Sequence, residues 1–350
     1  MFFAPQSIIN FINISVEVQT VRDKLSVLKE YFGHDSFREG QDRITDSLLG
    51  GRDVLGIMPT GAGKSICYQV PALMFDGITI VVSPLISLMK DQVSALVQSG
   101  VAAAYINSSL THAQYLKVLQ NTESGKYKII YVAPERLCAP AFLGICRNLN
   151  ISMVAVDEAH CVSQWGQDFR PSYLKIPDFI DALNSRPVVG AFTATATGAV
   201  RDDIKTLLRL VSPLVVTTGF DRPNLFFSVM QPKNKSIELM KLIKERKTES
   251  GIVYCSTRKA VEEVCELLQK NGFAATRYHA GLDENERRRN QDDFVYDRAA
   301  IMVATNAFGM GIDKSNVSFV IHYNMSKNME SYYQEAGRAG RDGRSADCIL

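Results

Sequence analysis

From about Asp53 onward, short runs rich in β-branched residues alternate with segments of helical period, and this alternation admits few folds. A strand that returns to its own sheet through a helix runs parallel to its predecessor, so the expected fold class is α/β, with parallel sheets flanked by helices. Strands are expected at 54–58, 78–83, 102–106, 129–133, 153–157 and 188–194, with a helix over 85–98 ending at Gly100. The pattern breaks around Ser212 to Asn224, where Ser-Pro, Gly219 and Arg-Pro interrupt it. It resumes with strands at 251–256, 274–280, 301–305 and 319–323, and the chain stops at Leu350 inside a further expected strand. One helix opens at Asp283 with Glu286 three residues on, a spacing in which each side chain can take a free amide. These signals divide the chain into an extension over 1–22, a first domain over 23–212 and a second over 213–350. A cleft between the two domains is the natural ligand site.

The chain has 350 residues and 46% hydrophobic content, enough for two cores. Lys and Arg total 39 against 37 Asp and Glu, so the net charge of +2 does not by itself argue for a polyanionic partner. The seven cysteines include no C-x-x-C pair, which speaks against a zinc site or a disulfide framework and for buried reduced thiols. No Lys or Arg occurs before Arg22, and the longest uncharged apolar stretch, Gly77 to Met89, is shorter than the roughly 20 residues of a spanning helix. The reading is a soluble intracellular protein, cytoplasmic and nucleoid-associated or nuclear, with no membrane partner.

Met58-Pro-Thr-Gly-Ala-Gly-Lys-Ser65 lies between an expected strand and an expected helix, the setting that a phosphate cradle needs. Thr60, Gly61 and Gly63 let consecutive amides face phosphate oxygens, Lys64 reaches the terminal phosphates, and the Ser65 hydroxyl can hold Mg²⁺. Met58 stands where the strict pattern has Gly. Further on, Val154-Ala-Val-Asp-Glu-Ala-His160 ends an apolar run in two adjacent acids. Taken alone, two acids at a strand tip are ordinary surface charge. With the phosphate loop in the same domain they suit metal-dependent phosphoryl transfer, Asp157 binding Mg²⁺ and Glu158 deprotonating the attacking water.

Asp-Glu-Ala-His after a modified phosphate loop resembles the superfamily 2 helicases. Cys161-Val-Ser-Gln-Trp-Gly-Gln-Asp-Phe-Arg-Pro-Ser-Tyr173 narrows this, because it resembles the aromatic-rich loop of the RecQ family. The matching motifs run from about Phe37 to Gly343. The resemblance implies two tandem RecA-like domains with the ATP site in the cleft between them. It also implies an ATP-dependent DNA helicase moving 3′ to 5′ on single-stranded DNA, acting in repair and recombination.

The resemblance assigns further residues. Trp165, Phe169 and Arg170, with His160 and Gln164 beside them, would couple DNA binding to hydrolysis; aromatic rings stack on bases whatever the sequence. Phe37-Arg-Glu-Gly-Gln41 resembles the adenine-reading motif, Gln41 contacting the base edge, Arg38 supporting it, and His34 taking the place of a stacking ring. Thr193-Ala-Thr195 would link hydrolysis to domain movement. Ser83 to Gln92, Ala133 to Leu137, Tyr254 to Arg258, His279 to Gly281 and Thr305 would hold the backbone of a DNA strand. Arg338 and Arg341, near one another at an expected helix end, would act as arginine fingers, with Asp313 close to the cleft. Arg287, Arg288 and Arg289 match nothing and read as a solvated helix face. The expected cofactors are ATP and Mg²⁺, and the expected partner is single-stranded DNA or a tailed duplex, bound by a monomeric motor. Complete RecQ proteins continue into a zinc-binding and winged-helix region, before which this chain is expected to end. A superfamily 2 RNA helicase shares the phosphate loop and the acids, though not the 161–173 segment; a non-unwinding ATP-dependent clamp or translocase is the other alternative.

Overall fold

The computed structural model describes residues 23–166, 168–219, 221–308 and 314–350. The expected 1–22 extension, Gln167 and Asp313 lie outside them. The first unit runs α1 (Lys24–Phe32), α2 (Gln41–Leu49), β1 (Val54–Ile57), α3 (Lys64–Met74), β2 (Ile78–Val82), α4 (Ile86–Gln98) and β3 (Ala103–Ile106). It continues with α5 (His112–Glu123), β4 (Ile129–Val132), α6 (Pro140–Arg147), β5 (Ile151–Val156), α7 (Ile176–Asp181), β6 (Val188–Thr193), α8 (Gly198–Leu207) and β7 (Leu214–Thr217). The second unit has β8 (Leu225–Ser228), α9 (Lys235–Glu245), β9 (Ser250–Tyr254), α10 (Arg258–Lys270), β10 (Ala275–Tyr278) and α11 (Glu284–Val295). It closes with β11 (Ile301–Ala304), β12 (Val317–His322), α12 (Met329–Ala336) and β13 (Ala346–Ile349).

The strands form two sheets, ordered β3-β4-β2-β5-β6-β1-β7 and β10-β11-β9-β12-β13-β8, and every pairing is parallel. Each central strand feeds two cores, because alternate side chains leave opposite faces. In β5, Val154 and Val156 pack into one apolar cluster, Met153 and Ala155 into the other. In the second sheet Val253 and Val303 face one cluster, Ile252 and Met302 the other.

One boundary moves. β7 pairs with β1 from Val54↔Leu214 to Ile57↔Thr217, so the first unit continues past the expected limit at 212 and the connection narrows to 218–224. The first sheet is closed at this edge by Asp53, whose buried carboxylate accepts from Arg186, Val189 N and Val211 N. The helix at Asp283 also differs from expectation in one detail. Asp283 caps the Asn285 and Glu286 amides, but the Glu286 carboxylate accepts from Arg277 rather than closing a reciprocal box. Of the seven cysteines only Cys138 is exposed, and among the described residues no helix is long and apolar enough to cross a membrane.

Candidate active site between the two domains

In open parallel sheets ligands gather beyond the carboxyl ends of the strands, and the expected motifs of the first unit lie there. The phosphate loop connects β1 to α3, the acid pair follows β5, and Thr193 ends β6. Gly61 and Gly63 have φ of 84° and 78°, the left-handed conformation that only glycine adopts cheaply. A side chain on Gly63 would also stand 2.5 Å from Gln41 Nε2. Lys64, in the first turn of α3, donates through Nζ to the Met58 carbonyl at 3.1 Å, so its ammonium lies over the loop.

Gln41 and Arg38 both bond to the phosphate loop. Gln41 is buried; its Nε2 donates to the carbonyls of Ala62 (3.0 Å) and Gly63 (3.1 Å), and its Oε1 accepts from Arg38 N (2.8 Å). Arg38 Nη1 donates to the Gly61 carbonyl at 2.7 Å. Both side chains therefore brace the phosphate loop in this structure. His34 is exposed just beyond α1.

Asp157 and Glu158 form the floor. Asp157 is buried, and burial first, then the neighbouring Glu158 charge, push its carboxyl up to about 7 against the pull of Lys64. Glu158 has φ 47°, and its buried Oε2 makes no hydrogen bond, lying 3.3 Å from His160 Nδ1. Two acids held this way leave the floor short of positive charge, which fits a divalent cation. His160 Nδ1 lies 2.9 Å from the Thr193 hydroxyl, which itself donates to the Thr195 carbonyl at 3.0 Å; Nδ1 is therefore the donor. Across the cleft, Gln334 Nε2 stands 3.5 Å from Thr195 Oγ1. A hydrogen-bonded series thus runs from the turn that carries the acid pair to α12 of the second unit.

The opposite wall is the turn after α12. A side chain on Gly61 would lie 3.7 Å from Arg341 Cγ, and one on Gly337 would lie 3.8 Å from Thr60 Cβ, so the turn abuts the phosphate loop. Arg338 is hydrogen-bonded to Tyr254, whose phenol burial pushes up to about 12 despite that cation. A cleft of about 300 Å³ between the walls is lined by Arg38, Gly61, Arg222, Arg341 and their neighbours. Arg222, legible in the sequence only as part of the Arg-Pro break, is a linker residue whose guanidinium bonds to Thr60 on one side and to the arginine turn on the other.

The aromatic-rich loop follows the acid pair directly. Trp165, at 78% exposed, is a surface ring and no core residue, and Gln164 is exposed beside it. Phe169 is half-buried. Arg170 is half-buried: Nε and Nη2 donate to Asp168 Oδ2 at 3.0 and 2.8 Å, and Nη1 to the Pro84 carbonyl at 3.0 Å. In this structure it ties the loop to the turn before α4. Thr305 directly follows β11 in the second unit, and its amide bonds to the Tyr278 carbonyl. His279 is buried against Glu262, so only the turn that it holds, not its ring, is offered outward. Arg288 and Arg289 are exposed on α11, with Arg287 half-buried.

The family model for DEAD/DEAH box helicases matches residues 38–204, and that for the helicase conserved C-terminal domain matches 234–343. The chain is 50% identical over 326 residues to the ATP-dependent DNA helicase RecQ of Bacillus subtilis, covering 93% of this chain and 55% of that protein. The chain belongs to the RecQ family. A more distant relative in name, the ATP-dependent helicase wrn-1 of Caenorhabditis elegans, is 44% identical over 338 residues, 93% of this chain and 32% of its own. The chain thus spans about half the length of the bacterial RecQ proteins that it matches. Solved structures share the RecA-like fold at lower identity. The helicase MrfA bound to DNA and AMPPNP superposes with a TM-score of 0.77 at 20% identity, over 95% of this chain and 50% of that one. S. cerevisiae Dbp5 bound to RNA and ADP BeF3 gives 0.73 at 20%, over 92% and 86%. The fold is therefore common to DNA-bound and RNA-bound neighbours, whereas the RecQ likeness rests on sequence identity.

Proposed function

We propose that the chain is the motor core of an ATP-dependent DNA helicase that moves 3′ to 5′ along single-stranded DNA and acts in repair and recombination. One observation carries this reading: the phosphate loop and the arginine turn face each other across a cleft of about 300 Å³, with Lys64 of that loop close enough to Asp157 for its charge to act on the carboxyl. ATP binds there, its triphosphate on the loop amides and Lys64. Mg²⁺ held by Ser65 and Asp157 would supply the charge that the buried acids call for and neutralise the phosphate oxygens. Glu158 orients the attacking water and accepts its proton at Oε2. Arg338 and Arg341 stabilise charge on the leaving phosphates only when the domains are closed, so hydrolysis is tied to closure.

The His160, Thr193, Thr195 and Gln334 series reports the state of the acid turn to the second domain. Trp165 offers a stacking surface for any base, and the strand-end turns grip phosphates without reading sequence. The alternating grip of the two domains advances the motor. A single chain supplies all of these groups, and the reading is of a motor that acts as a monomer inside the cell.

ATP turnover with no polymer, with single-stranded DNA and with single-stranded RNA tests the reading, followed by strand separation on a 3′-tailed duplex. Stimulation by DNA but not RNA is expected; preferential stimulation by RNA would place the chain with the RNA helicases of the superfamily. Stimulation by DNA without separation would make it a translocase only. Lys64→Ala is expected to bind DNA and to lose about 100-fold or more in turnover.

A further inference from the structure

The connection between the domains ends in Asp221-Arg222-Pro-Asn224, and Arg222 makes more contacts across the cleft than its place in a linker suggests. Its Nη1 donates to the Thr60 carbonyl of the phosphate loop at 2.9 Å and lies 3.4 Å from the Gly337 carbonyl. Its Nη2 donates to the carbonyls of Ala339 (3.0 Å) and Gly340 (2.9 Å), and its Nε to Asn224 Oδ1 (3.3 Å). Asn224 reinforces the same turn, its Nδ2 donating to Gly340 and Arg344 carbonyls at 2.8 Å each.

In this turn the Gly337 and Gly340 carbonyls belong to the peptides leading into Arg338 and Arg341, and Ala339 lies between the two arginines. The fork of Arg222 therefore holds the backbone frame from which both cationic side chains project. Among the described residues no carboxylate pairs with it, so its charge is left to the cleft, which it lines together with Arg341 and Gly61. The fit is close: a side chain on Gly61 would stand 3.2 Å from Arg222 Nη1. Only a planar group with five donors in fixed directions can serve so many carbonyls of two loops at once; a lysine ammonium offers a single point.

We propose that Arg222 is the positioning residue of the hydrolytic site, setting the arginine turn at its working distance from the phosphate loop. This rests on the reading of the cleft as an ATPase site. Opening of the cleft breaks one contact, Nη1 to Thr60, and leaves those within the second domain in place. The bond to Thr60 is thus the part of the fork that senses closure, and the rest carries the turn with it. Arg222 touches neither the acid pair nor Lys64, so its loss displaces the cationic side chains without emptying the phosphate cradle.

The test is steady-state ATP turnover of the whole chain with saturating single-stranded DNA, for wild type, Arg222→Lys, Arg222→Ala and Asn224→Ala, beside melting temperature and binding of a fluorescent ADP analogue. For Arg222→Lys, kcat is expected to fall about 100-fold, the scale of a misplaced catalytic group, while KM for ATP, ADP binding and melting temperature stay near wild type. Asn224→Ala should fall in the same direction by less. Added guanidinium ion at millimolar level should restore part of the turnover of Arg222→Ala, which a merely structural role would not allow. Wild-type kcat in Arg222→Lys overturns the proposal, as does a loss of turnover matched by an equal loss of ADP binding and melting temperature. If wild type itself hydrolyses no ATP, the reading of the cleft falls and this inference falls with it; a working wild type with an indifferent Arg222→Lys rejects the inference alone.

Discussion

The two walls of the cleft are built differently. The phosphate-loop wall is held by contacts within its own domain: Gln41 and Arg38 on the loop carbonyls, Lys64 on Met58, and Asp157 at the tip of a central strand. The arginine wall is a turn after α12 that leans on Tyr254 and on a linker residue, Arg222. The first wall is prepared to bind before any motion. On the proposed reading the second acts only when the linker holds it against the first, so affinity and turnover are expected to separate on mutation.

That contrast can be broken most strongly at Arg341. Replacing it by Ala is expected to lower DNA-stimulated kcat by about 1,000-fold or more while leaving nucleotide affinity close to wild type. Equal losses in both, measured by turnover and by ADP titration, would mean that the second wall takes part in binding. Trp165→Ala acts on neither wall, and its removal is expected to weaken DNA stimulation of turnover about tenfold, read as a shift of the half-saturating DNA concentration. Unchanged half-saturation would detach the exposed ring from DNA.

The smallest expected effect sharpens the picture of the first wall. Asp157 binds its proton more tightly folded, at about 7, than an unfolded Asp does, at about 3.9. Without ligand its contribution is therefore most favourable below pH 4 and is lost as pH rises toward 7. Asp157→Asn should raise the melting temperature by a few degrees at pH 8 and leave it unchanged at pH 4. Added Mg²⁺ should stabilise wild type and not the variant, with less effect below pH 7, where Asp157 holds a proton.

Central strands were legible because both faces are buried and both must be apolar, as in Ile-Val-Val of β2 or Met-Val-Ala-Val of β5. β7 and β8 were not. They are edge strands of four residues each, and their short apolar runs, Leu214-Val215-Val216 and Leu225-Phe226-Phe227, lie among Pro and Gly that read as a break. In the site, the phosphate loop and the acid pair were visible because their chemistry lies in adjacent residues. The braces were not, since what Gln41, Arg170 and Arg222 bond to is fixed by distant backbone carbonyls that no local pattern reveals. A lone Arg-Pro in a linker carries no mark of the two loops that it joins.

The most direct test of the shared cleft is a crystal structure of the chain with AMP-PNP, Mg²⁺ and single-stranded DNA. The account predicts the γ-phosphate between Lys64 on one side and Arg338 or Arg341 on the other, with the metal at Ser65 and Asp157 and Arg222 still bonded to Thr60. A nucleotide seated on the phosphate loop, with the domains closed and both arginines turned away from it, would contradict the account.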